Sequence, residues 1–171
     1  MTETTETTIN KLNAILKSLI FDRTQSDVDY ALDCVKNAVY NAGDLKGAYN
    51  ISDRNRIGGA VNNISEFLVN AGMFEARLNI KNDYDYGDII RRGNHDEILA
   101  ALKCLKFLLP YSQTPEIPAS LDAITYQKAN ALERILYDSG GVLVQFLASW
   151  LYCGDGYASD FDAWSWQGWD N

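Results

Sequence analysis

The run from Asp122 to about Tyr152 constrains this chain more than any other stretch. Ile124, Ala131/Leu132, Ile135/Leu136, Val142, Leu143, Phe146, Leu147 and Trp150 recur at helical spacing, and the second half of the run is apolar on most faces. A helix that is apolar nearly all round has to be surrounded by other elements. The spacing therefore predicts a central helix with the rest of the chain packed against it. Ser139-Gly140-Gly141 in its middle predicts a kink or a split into two helices.

The earlier stripes supply what surrounds it. Ile9, Leu12, Ile15, Leu16 and Leu19 follow an i, i+3, i+4 pattern over three turns and read as a first helix. Thr24 or Ser26 caps a second, with Val28, Ala31, Leu32, Val35 and Val39 inward, and Asn41-Ala42-Gly43 ends it. Ser52 is the expected N-cap of a third helix, whose buried stripe is Ile57, Ala60, Val61, Ile64, Phe67/Leu68 and Ala71, closing at Gly72. Gly58-Gly59 within it costs on the order of 1 kcal/mol per residue relative to Ala, and close packing against another helix is the natural reason to keep it. Asn94 or Asp96 opens a fourth helix with Ile98, Leu102, Leu105 and Leu109 inward, stopping before Pro110. Residues 111–119, with Pro115 and Pro118, form an extended strap.

Two pieces break the helical pattern. Residues 74–81 alternate apolar and polar side chains and read as a lone strand, with Asn82-Asp83 as its turn. Residues 155–171 carry Asp155, Asp160, Asp162 and Asp170, no basic residue, and three of the four Trp. Burying one Trp removes roughly 150 to 250 Å² from water, so Trp164, Trp166 and Trp169 have to dock somewhere. Trp164 and Trp166 share one face of a possible short strand. They fold back onto the chain's own core, grip a neighbouring subunit, or form a platform for sugar rings. Pairing with 74–81, in the same chain or in another copy, satisfies both strand-like pieces. The expectation is a mainly α helical bundle of about five helices with a minor β element, organised as a helical domain, 1–154, and a docking tail, 155–171.

At 171 residues the chain is long enough for one self-sufficient core. Its net charge of −8 shows no clustered Lys/Arg surface and argues against nucleic-acid backbone as a partner. Cys34, Cys104 and Cys153 have no CxxC spacing, and Cys34 and Cys104 lie in apolar helical patterns as buried free thiols, which fits synthesis in cytoplasm. The opening Thr/Glu run has no signal-peptide character, and no apolar run approaches the ~18 residues of a membrane span.

The residues that carry catalysis are sparse. His95 is the single histidine and sits as Asn94-His95-Asp96 at a helix start, where capping or surface exposure explains it. One histidine and scattered thiols give no zinc constellation. Asp83, Asp85 and Asp88 faintly resemble a calcium loop, but the position that needs a bidentate Glu, nine residues after Asp85, is Asn94. The expectation is a protein that is not an enzyme, with no catalytic residues, no metal and no cofactor. Tyr84, Tyr86, Tyr157 and Phe161, with the three terminal Trp, are the candidate binding residues, suited to a protein interface with a polar rim or to stacking on glycans.

Four stretches together resemble a sequence type recurrent in structural modules of tailed phages and prophages of Gram-positive bacteria. They are Asp22 to Val28; Leu45 to Asn50 continuing through Asp53, Asn55, Arg56, Ile57 and Gly58; Ile117 to Asp122 with Thr125, Tyr126, Ala129, Asn130, Leu132, Glu133, Ile135 and Leu136; and Trp150, Tyr152 and Gly154. The resemblance spans about 22 to 154 and implies a virion component of the tail, tail tip or baseplate region, with no catalytic role to carry over. The expected partners are other virion proteins and copies of the same chain, while the acidic charge and the lack of a long apolar run argue against nucleic acid and membrane. A neck or head-to-tail connector, or an adhesion module for host surface glycan, are the alternatives. From Asp155 onward the chain departs from the pattern of that type.

Overall fold

The computed structural model describes residues 5–37, 45–108 and 114–157. Within them the protein is mainly α-helical: α1 (Thr5–Ser18), α2 (Gln25–Lys36), α3 (Ile51–Asn70), α4 (Arg92–Leu108) and α5 (Tyr126–Tyr157). α5 packs against α1, α3 and α4, so the longest apolar run is the element those three share. Leu12 and Leu16 of α1, Ile57, Ile64 and Leu68 of α3, Ile98, Leu102 and Leu105 of α4, and Leu132, Ile135, Leu136 and Leu143 of α5 close one core. All of these lie on the stripes that the sequence predicts.

α5 is one helix of 32 residues and does not split at Ser139-Gly140-Gly141. The glycine serves packing instead. A β-carbon on Gly140 would stand 2.5 Å from Leu16 Cδ2, so its absence lets α1 lie close against α5. α5 also continues to Tyr157, past the expected domain boundary at 154.

α2 departs most from expectation. Thr24 is its N-cap, in a capping box with Asp27. Ala31 and Cys34 are its buried residues, whereas Leu32 and Val35, expected inward, are 53% and 57% exposed. The reason lies at Gly47, where a β-carbon would meet Asp27 O at 2.0 Å. The segment after α2 therefore presses directly on its first turn, and the face carrying Asp27, Ala31 and Cys34 has side chains small enough to allow it. The larger Leu32 and Val35 are left outward. Cys104, also expected inside, is exposed.

Residues 74–81 form no strand, with bends at Glu75 and Ala76, and no strand occurs among the described residues. Their backbone is paired with side chains of α3. Asn62 Nδ2 donates to Ile80 O and its Oδ1 accepts from Ile80 N, both at 2.8 Å. Two turns earlier, Asn55 makes the same pair of bonds with Tyr84, both 2.9 Å. Ser65 Oγ bonds the N–H and C=O of Leu78 at 3.1 and 3.3 Å. A carboxamide offers the same donor and acceptor as a peptide group, so a row of Asn and Ser on a helix does here what a neighbouring strand would do. Gly58 is part of the fit: a β-carbon there would come within 2.9 Å of Lys81 O, so the glycine admits this segment rather than another helix. The turn that follows is at Asp85–Asp88, not Asn82-Asp83. The possible strand in the tail lies outside the described residues.

Candidate functional site

α3 begins with a capping box in which Asn50, not Ser52, is the cap. Asn50 Oδ1 accepts from Ser52 N and Asp53 N, and Asp53 Oδ2 accepts from Asn50 N at 2.9 Å. That box leaves Asp53 Oδ1 turned into the protein, where it joins a buried lattice of two arginines and two carboxylates. Arg23 Nη2 donates to Asp53 Oδ1 and to Glu133 Oε1, each at 2.8 Å. Arg56 grips Glu133 with Nε and Nη2, at 3.0 and 2.9 Å, and Asp53 with the same Nη2. Glu133 Oε2 also accepts from Ile20 N at 2.6 Å. Arg23 Nε donates to Lys46 O, and its Nη1 to Ile20 O.

One turn before Glu133, Asn130 brackets the backbone of Arg23, accepting from its N–H at 3.1 Å and donating to its C=O at 2.9 Å. The lattice thus binds the α1–α2 link, the start of α3 and the middle of α5 to each other. Side chains of Arg23, Asp53 and Glu133 are 0 to 5% exposed. Both carboxylates are filled by guanidinium donors, and the four charges sum to zero. Such an arrangement holds elements in register. Burial works against the charge on Arg56, but Glu133 and Asp53 outweigh it and hold its pKa above the ordinary value. A cavity of about 440 Å³, lined among others by Leu19, Lys46, Asn50 and Arg56, opens beside this lattice.

On the outer side, the turn after the α3-bound segment is braced. Lys81 Nζ bonds Asp88 Oδ2 at 2.9 Å, and Asp85 N bonds the same oxygen at 3.1 Å. These contacts hold the Asp88 carboxyl below its ordinary range and raise the Lys81 ammonium. Asp85 and Asp88 are thereby committed to the turn itself. Among the described residues, no group of three His, Cys, Asp or Glu side chains stands where it could hold a metal. The turn presents Tyr86 and Ile89, 84% and 80% exposed. Tyr30, Leu32 and Val35 make a second outward apolar set on α2.

The candidate binding residues therefore separate. Tyr86 is on the surface, as a contact residue should be. Tyr84 is buried, its ring against the Arg54 guanidinium at 4.8 Å. Tyr157 ends α5, while Phe161, Trp164, Trp166 and Trp169 lie outside the described residues. His95 is half-buried in the first turn of α4. The reading from sequence missed Arg23, Asp53, Arg56, Glu133 and the Asn55/Asn62 clamp. The signal for them was charged and amide residues in phase with apolar stripes, such as Glu133 between Leu132 and Ile135. Comparison of the chain with protein-family models, with curated proteins and with solved structures returned no match.

Proposed function

We propose that this protein is a non-enzymatic structural subunit of a tailed-phage virion, in the tail, tail tip or baseplate region, that works by binding other virion proteins and copies of itself. It is made in the cytoplasm of the bacterial host and resides in the particle. The observation that carries the reading is the braced turn: an aromatic and an aliphatic side chain, Tyr86 and Ile89, held outward beside the Lys81–Asp88 ion pair. Holding contact groups rigid before association lowers the entropic cost of binding. The resemblance of the 22–154 region supports the same reading, because its stretches carry the four lattice residues Arg23, Asp53, Arg56 and Glu133. A neck or connector subunit would use the same contacts, and labelling of the subunit in intact particles separates the two positions.

Tyr86→Ser combined with Ile89→Ser tests it. Both residues are exposed, so helicity and unfolding temperature should stay unchanged while incorporation into particles falls at least tenfold. Wild-type incorporation of the double variant, and of a chain lacking 158–171, would overturn the assembly reading. The exposed ring of Tyr86 also suits stacking on a sugar ring. Retention of the isolated wild-type protein on host cell-wall polysaccharide, lost with Tyr86→Ser alone, would make it an adhesion module instead.

A further inference from the structure

Arg54 is 1% exposed, yet its Nε and Nη1 have no hydrogen-bond partner, and Nη2 has only a long contact of 3.5 Å to Tyr84 Oη. The contrast with Arg56 and Arg23 is sharp, since both of those are ion-paired with Asp53 and Glu133. Two more buried polar atoms without a partner, Tyr49 Oη and His95 Nδ1, belong to residues on which the Arg54 charge acts. Arg54 stands in the first turn of α3 and His95 in the first turn of α4, where backbone N–H groups favour negative charge. A desolvated guanidinium with two open nitrogens is a strong donor for a planar or tetrahedral oxyanion. Tyr84 closes the place: it is buried while its neighbours Asp83 and Asp85 are exposed, and its backbone is fixed by Asn55.

We propose that Arg54, with Tyr84 as its cover, forms a binding site for a small oxyanion of the phosphate or carboxylate class. Arg54 supplies the charge and the open N–H donors, and Tyr49 and His95, on which its charge acts, report on the site. Asp122 and Asp96 act on His95 in the opposite sense, and Asp53 and Glu133, whose charges act on Tyr49, are occupied by Arg23 and Arg56. The site is separate from the Tyr86/Ile89 surface, so the assembly reading and this one fail independently.

The single histidine gives a clean probe. The imidazole signal of His95 in the full-length protein is followed by NMR while inorganic phosphate, or acetate as a stand-in for a protein carboxylate, replaces chloride at constant ionic strength. The expected result is a saturable shift and a rise in the His95 pKa, with a higher unfolding temperature, and loss of saturation in Arg54→Gln. Saturation by phosphate alone assigns a phosphate-class ligand; equal saturation by acetate assigns a carboxylate. Should Arg54→Gln fail to fold, Tyr84→Ala keeps the guanidinium and should saturate with faster exchange. A response in wild type that is linear in both anions, as simple screening gives, would overturn the site.

Discussion

Arg54 and Arg56 leave the same helix two residues apart and meet opposite surroundings. Arg56 enters a neutral lattice in which every carboxylate oxygen has a guanidinium or backbone donor, so its charge is matched and its position fixed. Arg54 enters the core against a tyrosine ring with two nitrogens unpaired. The lesson is that burial of a charge is not one kind of feature. Where the partners come from three distant parts of the chain, as with Arg23, Arg56 and Glu133, the charge specifies which elements meet. Where no carboxylate arrives, as with Arg54, the guanidinium rests on a tyrosine ring with nitrogens open, the feature on which the proposed oxyanion site is built.

The comparison breaks most visibly if the lattice is made to resemble the Arg54 site. Glu133→Ala removes a carboxylate that Arg23 and Arg56 share and leaves buried Arg23 and half-buried Arg56 with Asp53 alone. A cost of about 3–5 kcal/mol is expected, the range for removing one partner of a buried pair. Urea unfolding measures it directly. A loss under about 1 kcal/mol would mean that solvent already reaches the lattice and that the contrast with Arg54 is one of degree.

A smaller effect is expected at the helix-tied segment. Asn62→Ala leaves the N–H and C=O of buried Ile80 without partners, at about 1–3 kcal/mol. Amide hydrogen exchange at Ile80 and Tyr84 separates the outcomes. Faster exchange at Ile80 with Tyr84 still protected shows that Asn62 and Asn55 act as independent clamps; loss of both shows one cooperative strap.

How much of this was legible follows from which forces act locally. The apolar stripes of α1, α3, α4 and α5 give the core nearly residue for residue, because a helix face is a property of spacing alone. Thr24 as a cap is equally local. The outward face of α2 was not legible, since Gly47 decides it from outside the helix. The break in the helical pattern at 74–81 was legible, but the strand read there does not form, and the partner its backbone finds was not legible. Alternation says that one edge of the backbone needs bonds, and nothing in it says that Asn55, Asn62 and Ser65 will make them. The lattice has the same difficulty at longer range: Arg23 and Glu133 are 110 positions apart. Tyr84 and Tyr86 look alike in sequence and are separated by one fact of packing, that an arginine lies beneath the first.

The smallest expected effect is also the one that reads the Arg54 side of the comparison most directly. His95 is pushed below its ordinary pKa of 6.5, by burial first and by the Arg54 charge second, with Asp122 and Asp96 opposing. A depressed imidazole means that the unfolded chain binds a proton more readily than the folded one as the solution is acidified. The stability His95 contributes is then fully present above 6.5, declines as pH falls through that value, and levels off below the folded pKa. His95→Gln should remove this part of the pH dependence, seen as a smaller drop in unfolding temperature across that window. Arg54→Gln should shrink it as well, because the second cause goes with the charge, while burial remains. If Arg54→Gln leaves the window unchanged, the guanidinium is already neutralised by some other group, and the opposition between Arg54 and Arg56 does not hold.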